Sequence, residues 1–100
     1  MIHHIVFWKL KPSALDRKAE ENGKEVKRLL RALQPLVPTL RSLSVGLDFN
    51  RSDAAYDIAL YTTFDSQEDL QAYQVHPEHQ KVVSFVSTVV ASRAVVDFED

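Results

Sequence analysis

The chain has 100 residues, which is enough for one folded domain and too few for two. Apolar residues make up 45% of it and charged residues 26%, ordinary proportions for a globular protein, so neither disorder nor a fibrous repeat is indicated. The formal net charge is -2, and acidic and basic residues alternate along the chain. This pattern argues against a nucleic-acid partner, which needs a basic face, and gives no reason to expect binding to a membrane surface.

Cysteine is absent, so no disulfide can form and no thiolate can attack a substrate or bind a metal. The first residues run directly into a strand-like pattern without the features of a secretion signal, and no apolar run is long enough to cross a bilayer. We therefore expect a single domain over residues 1–100, located in the cytoplasm.

Residues 1–11 are predicted to form a strand because they are rich in β-branched and aromatic side chains. Alternation places an apolar series with one histidine on the first face, namely Ile2, His4, Val6, Trp8 and Leu10. The second face carries Ile5 and Phe7 in its middle, which is more apolar surface than a solvent-facing sheet normally shows. We expect this second face to be covered as well.

A helix is predicted to follow Pro12-Ser13, which ends the strand, and to run to about residue 33. The positions of its buried stripe recur at steps of three and four, namely Leu15, Ala19, Asn22, Val26, Leu29, Leu30 and Leu33. Charged residues fill the remaining positions and are interpreted as a solvated helix face. Gly23 costs about 1 kcal/mol relative to alanine inside a helix, so we expect the helix to pack closely on the sheet there.

Residues 66–83 combine helix signals with reactive side chains. Ser66 and Asp69 have the spacing of a capping box, so a helix is expected to begin near residue 67. Proline disfavours helix in the residue before it and suits the first turn of a new helix. The helix is therefore expected to stop or bend just before Pro77 and to continue to about residue 88. Three candidate acid–base groups gather around this bend, namely Tyr73, His76 and His79.

Further strands are predicted over residues 40–49, 56–64 and 91–98. The element order is then β-α-β-β-α-β, an α+β ferredoxin-like arrangement with the helices on one face of a four-stranded antiparallel sheet. The other face of the sheet is apolar, and a small domain usually hides such a face against a second copy. We therefore predict a homodimer that forms through the sheet faces.

His79 is the leading candidate for chemistry. A neutral imidazole accepts a proton from an acidic carbon or a phenol at neutral pH, and Tyr73 could orient the ligand or donate to a developing oxyanion. The alternative is that His79 hydrogen-bonds a carbonyl or packs in the core. His76, which precedes a proline, is more simply explained as fixing the local backbone. His4 shares a face with apolar residues, so it needs a partner, which either a core hydrogen bond or a pocket would provide.

Two further combinations of polar residues have a possible metal-binding or structural meaning. Three histidines, His4, His76 and His79, would just reach the ligand number of a catalytic zinc site. No recognisable metal motif is present, so we predict no metal, and no cofactor is expected. Arg93 and Asp97 lie four apart on one face of the last predicted strand, and we expect them to form a cross-strand or inter-subunit pair.

Five segments follow one another in an order that is typical of a single family. They are HHIVFWKLKP, the Val37-Pro38 turn leading to Val45-Gly46, YDIALYTTFDS, AYQVHPEHQKV and RAVVDF. Together they cover essentially the whole chain, which resembles the stress-responsive dimeric α/β-barrel family, often called Dabb. The resemblance implies a homodimer whose two sheets pack as a barrel and, in some members, a cavity on the helix side of the sheet.

The resemblance also implies candidate roles for individual residues. Some plant members of the family are tied to stress tolerance, some members cyclise linear polyketides, and many bacterial members have no assigned role. In the cyclase branch, the tyrosine and the last histidine of Tyr-x-x-His-Pro-x-His do the acid–base work beside a strand-one histidine, which match Tyr73, His79 and His4. That branch has a histidine in strand three where this chain has Ile58, so one group that orients or polarises the substrate is missing.

We expect a small apolar pocket between the sheet and the helices, lined by His4, Trp8, Ile58, Tyr73 and His79. The leading functional hypothesis is that this pocket binds a small, largely apolar organic ligand. The first alternative is a cofactor-independent cyclase or isomerase that uses His79 as general base with Tyr73 assisting. The second alternative is a stress-response dimer whose role is structural and which binds no ligand.

Overall fold

The computed structural model describes all residues from 1 to 100 as six strands and three helices. In chain order these are β1 (Ile2–Leu10), β2 (Ser13–Ala14), β3 (Arg17–Lys18), α1 (Ala19–Arg31), β4 (Ser42–Leu47), β5 (Ile58–Phe64), α2 (Gln67–Val75), α3 (Pro77–Val89) and β6 (Val90–Glu99). None of the three helices combines the length and the hydropathy that crossing a bilayer requires.

Four of the strands form one antiparallel sheet in the order β4-β5-β1-β6, so β1 is hydrogen-bonded on both sides. The helices cover one face of this sheet, and the predicted ferredoxin-like α+β fold is confirmed. The alternation predicted for β1 is also confirmed, because Ile2, Val6 and Trp8 are buried beneath the helices. The second predicted strand is shorter than expected, because β4 runs only from Ser42 to Leu47. The third is also shorter, because β5 begins at Ile58.

The start of the first predicted helix is wrong by five residues, because α1 begins at Ala19. Residues 13–18 form a small antiparallel ribbon in which Ser13 pairs with Lys18 and Ala14 pairs with Arg17. Leu15 and Asp16 close its two-residue turn with φ angles of 54° and 59°, in the left-handed region where glycine and asparagine are usual. Because the turn uses neither residue, the sequence gives no signal for it. Leu15 is consequently exposed and does not belong to the buried stripe of α1.

The close packing expected at Gly23 is confirmed. A Cβ atom at this position would lie 3.2 Å from Leu10 Cδ1 and 3.4 Å from Leu47 Cδ2. The helix therefore approaches the sheet so closely that a side chain there would require Leu10 to shift by a few tenths of an ångström. Of the other stripe positions, Val26, Leu30 and Leu33 are almost fully inaccessible, whereas Ala19 and Leu29 are half-buried. The three inaccessible side chains form the part of the core that lies between α1 and the sheet.

Candidate functional site

The bend between α2 and α3 forms as the sequence predicts. The Ser66 hydroxyl accepts a hydrogen bond from the Asp69 amide at 3.1 Å, and α2 begins at the next residue after this cap. The helix ends ahead of Pro77, which occupies the first turn of α3. His76 joins the two helices, and its Nδ1 accepts from the Glu78 amide at 3.1 Å as the N-cap of α3. The predicted role of His76 in fixing the local backbone is confirmed.

A cavity of about 180 Å³ lies between the sheet and α3. Its apolar walls come from both layers and include Val6, Trp8, Leu30, Leu60, Val82 and Val86. Its polar lining comprises His4, Gln74, His79, Ser87 and Arg93. Pockets for drug-sized ligands typically measure about 300–1,000 Å³, so this one suits a molecule with few heavy atoms.

The bend in the helix determines which tautomer the neutral His79 ring adopts. In an uninterrupted helix the carbonyl of Gln74 would accept from the Glu78 amide, but that amide is taken by His76. The free carbonyl accepts instead from His79 Nδ1 at 3.1 Å and from the Gln80 side chain at 2.6 Å. A carbonyl can only accept, so the proton of the neutral ring is on Nδ1 and Nε2 carries a lone pair. Nε2 forms no hydrogen bond within the chain.

The imidazole of His79 is kept neutral by its surroundings. Burial, the largest effect, lowers its pKa from the usual value of 6.5. The hydrogen bond to Gln74 acts in the opposite direction, and nearby His4, Arg93 and His76 lower the pKa further. His79 is therefore a neutral group with a free lone pair on the wall of a mostly apolar cavity.

His4 both makes a hydrogen bond and borders the cavity, the two alternatives that the sequence left open. Its side chain is almost fully buried, and Nδ1 donates to Asp97 Oδ1 on the neighbouring strand β6, directly opposite in register. The same ring borders the cavity. The structure brings no three histidine, aspartate or glutamate side chains together in a way that could hold a metal ion.

Tyr73 lies behind His79 and outside the cavity lining. Its ring is fully buried, 4.3 Å from the ring of His79 and 5.2 Å from that of Phe64, measured between centroids. Its hydroxyl has no hydrogen-bond partner, and burial raises the pKa of the phenol. Ile58 is also buried, pairs with Trp8 in the sheet and does not line this cavity. Of the five predicted site residues, the structure gathers His4, Trp8 and His79 around one space.

Arg93 borders the cavity, a position that the sequence analysis does not predict for it. The expected pair with Asp97 does not form within the chain, because Asp97 pairs across the strands with His4 and Arg93 makes no ion pair there. The inter-subunit alternative stays a prediction. Residues four apart in a strand are separated by roughly 13 Å, too far for direct contact. Arg93 instead lies opposite Trp8 in register, on the helix side of the sheet. The alternation of the last predicted strand places it on that face, but only the strand pairing brings it to His4 and His79.

The family model for the stress-responsive A/B barrel domain, Dabb, matches residues 2–100. The chain belongs to the Dabb family. The resemblance of the five segments is thereby confirmed, and the ferredoxin-like topology of the structure agrees with it. No curated protein matches this Dabb chain.

Solved structures with the same fold include a dimeric ferredoxin-like protein of unknown function from Bacteroides fragilis, 31% identical. The match covers 99% of this chain and 95% of that one with a TM-score of 0.88. A second dimeric ferredoxin-like protein of unknown function, from Thermobifida fusca, is 25% identical over 97% of this chain and 88% of that one, with a TM-score of 0.83. A hydroxynitrile lyase from Passiflora edulis is 18% identical over 97% and 90% of the two chains, with a TM-score of 0.80, and shares the fold.

Proposed function

We propose that this Dabb protein is a homodimer in which each subunit binds a small, largely apolar organic molecule in the cavity beside His79. The observation that carries the proposal is the composition of the cavity. Most of its walls are aliphatic or aromatic, and a neutral imidazole with a free lone pair stands on one side. Apolar walls with a few placed polar groups are the usual character of small-molecule sites.

Support for the dimer comes from the face of the sheet that the helices leave open. Large apolar side chains are partly or well exposed there, namely Ile5, Phe7, Tyr61, Val96 and Phe98. Contiguous apolar patches of this kind mark interaction sites in soluble proteins. The similar proteins from Bacteroides fragilis and Thermobifida fusca are dimeric, and a two-fold pairing of the open faces would bury the patch.

The binding proposal is tested with the single tryptophan as reporter. Trp8 is the only tryptophan of the chain and borders the cavity, so its fluorescence should respond to an occupant. Neutral probes such as 1-hexanol and phenol are titrated against the wild type and against Val83→Phe, which fills the cavity mouth. Val75→Phe introduces the same ring at an exposed position outside the cavity and serves as the control.

Saturable binding that Val83→Phe abolishes and Val75→Phe preserves is the expected result. If no probe binds the wild type, or if the two variants behave alike, the ligand site is refuted. The remaining explanation would then be a dimer whose role is structural.

A second candidate function is proton abstraction without a cofactor, as in a cyclase or an isomerase. The free lone pair on His79 Nε2 favours it, because a neutral imidazole can take a proton from an acidic carbon of a bound carbonyl compound. Tyr73 would act through the position of His79, since its hydroxyl does not border the cavity. Solvent deuterium exchange beside the carbonyl of 2-hexanone tests this, and His79→Gln should abolish it while His76→Asn, which keeps the helix cap, should not.

A further inference from the structure

Arg93 places a positive charge at the cavity, and a purely apolar ligand would make no ionic contact with it. Resting on the ligand-binding function above, we propose that the ligand is a small organic acid whose carboxylate is bound by the Arg93 guanidinium while its hydrocarbon part lies against the apolar walls. The occupant is thus a carboxylate with a short chain or a small ring.

The charge balance around the cavity carries this assignment. No carboxylate is among the residues that line it, and the two other basic candidates, His4 and His79, are respectively bonded to Asp97 and neutral. Arg93 forms no ion pair within the chain. Arg17 and Arg31 are also unpaired, but only Arg93 borders the cavity. The cavity therefore presents one positive group with no internal counter-charge.

The position of Arg93 decides how such a ligand would lie. Arg93 is exposed and borders the cavity from the edge strand β6, opposite Trp8, so its guanidinium stands at the mouth and not at the bottom. Val6 and Leu60 are buried deeper beneath the helices. A carboxylate at the mouth stays partly hydrated, which reduces the free energy lost in removing it from water, while the hydrocarbon part enters the apolar interior.

The chemistry of the guanidinium favours a carboxylate in particular. Its planar fork donates two parallel hydrogen bonds to a carboxylate, and such charge-assisted bonds are about twice as strong as neutral ones. Gln74 borders the same space, and its side-chain amide can donate to a carboxylate oxygen that the arginine leaves free.

The test compares hexanoate with 1-hexanol, which share a hydrocarbon chain and differ in charge at neutral pH. Both are titrated through Trp8 fluorescence against the wild type, Arg93→Gln and Arg93→Lys. Arg31→Gln removes the same charge from an exposed position at the end of α1, outside the cavity, and is the control. The fold of each variant is checked by circular dichroism.

We expect the wild type to bind hexanoate at least roughly ten-fold more tightly than 1-hexanol. Arg93→Gln should remove that preference, so that the two probes bind alike. Arg93→Lys should retain part of the preference, and Arg31→Gln should retain all of it. If 1-hexanol binds and hexanoate has no advantage, or if Arg93→Gln keeps the advantage, the role of Arg93 is overturned while the ligand site stands. If neither probe binds, both proposals fail.

Discussion

Tyr73 and His79 pack ring against ring, with centroids 4.3 Å apart and planes tilted by 50°. The phenol oxygen of Tyr73 is buried without a hydrogen-bond partner. The contact of the tyrosine with His79 is therefore made by its ring and not by its hydroxyl. In this arrangement Tyr73 sets the position of His79 and does not face the ligand across the cavity.

Replacing Tyr73 by phenylalanine should therefore stabilise the fold. A buried polar group without a partner costs about 1–3 kcal/mol, so its removal with the ring retained should raise the free energy of unfolding by roughly 1 kcal/mol. Urea unfolding measures this change. Tyr61→Phe is the matched control, because the Tyr61 hydroxyl is bonded to His3 Nδ1 at 2.7 Å and its loss should give no gain.

Binding of 1-hexanol should survive the Tyr73→Phe substitution. A loss of binding or of deuterium exchange with an unchanged fold would instead assign the hydroxyl a direct role at the ligand.

His79 should make the protein less stable in mild acid. Its pKa is lowered in the folded state, so below the usual value of 6.5 the unfolded chain binds more protons than the folded one. The free energy of unfolding should consequently fall as the pH drops through 6.5 and below, and this part of the fall should be absent in His79→Gln. The comparison uses urea unfolding at about pH 8 and about pH 5, at one protein concentration because the stability of the proposed dimer depends on concentration.

The other histidines are the same in both proteins, so the difference between the two slopes reports His79 alone. Equal slopes for wild type and His79→Gln would contradict a neutral, buried imidazole.

A single charge on the open sheet face should separate the subunits of the proposed dimer. Val96 pairs with Ile5 on that face and is well exposed in the single chain. Val96→Lys would place an unpaired charge in the buried interface, which costs several kcal/mol, and the variant should be monomeric at concentrations where the wild type is dimeric. Light scattering after gel filtration measures the mass. Val75→Lys, at an exposed position of α2, should stay dimeric, and a dimeric Val96→Lys would place the interface elsewhere.

The cap at the start of α3 should be measurable by substitution. His76→Ala removes the side-chain acceptor for the Glu78 amide and should lower the free energy of unfolding by about 1 kcal/mol. His76→Asn offers an amide oxygen at the same place and should recover most of the loss. A His76→Asn variant as unstable as His76→Ala would mean that the imidazole acts through some other contact.

The bent helix can be predicted from the sequence because the signals for its start and its bend are local. The Ser66 cap and the Pro77 break act within one turn of the chain, and each has one common structural meaning. The ribbon over residues 13–18 was missed for the opposite reason. Leu15 and Asp16 adopt left-handed backbone angles in a turn that lacks glycine and asparagine, and a leucine there reads equally well as part of a helix stripe.

The site was only partly accessible from the sequence because it depends on pairing between distant strands. His4 and His79 could be recognised as candidates by residue type, but their partners could not. Asp97 reaches His4 through the register of β6 on β1, and the same register carries Arg93 to the cavity. Whether Tyr73 faces the cavity or lies behind His79 depends on side-chain packing, which periodicity does not encode.

The cavity walls come from two strands whose backbone hydrogen bonds differ in how readily they open. Trp8 lies in β1, whose amides are bonded to strands on both sides, whereas Arg93 lies in β6, an edge strand with mostly exposed residues. We expect the amide hydrogens of β1 to exchange with solvent only through global unfolding and those of β6 through local opening. A molecule could then enter and leave by transient fraying of the edge, while the floor beneath it stays intact.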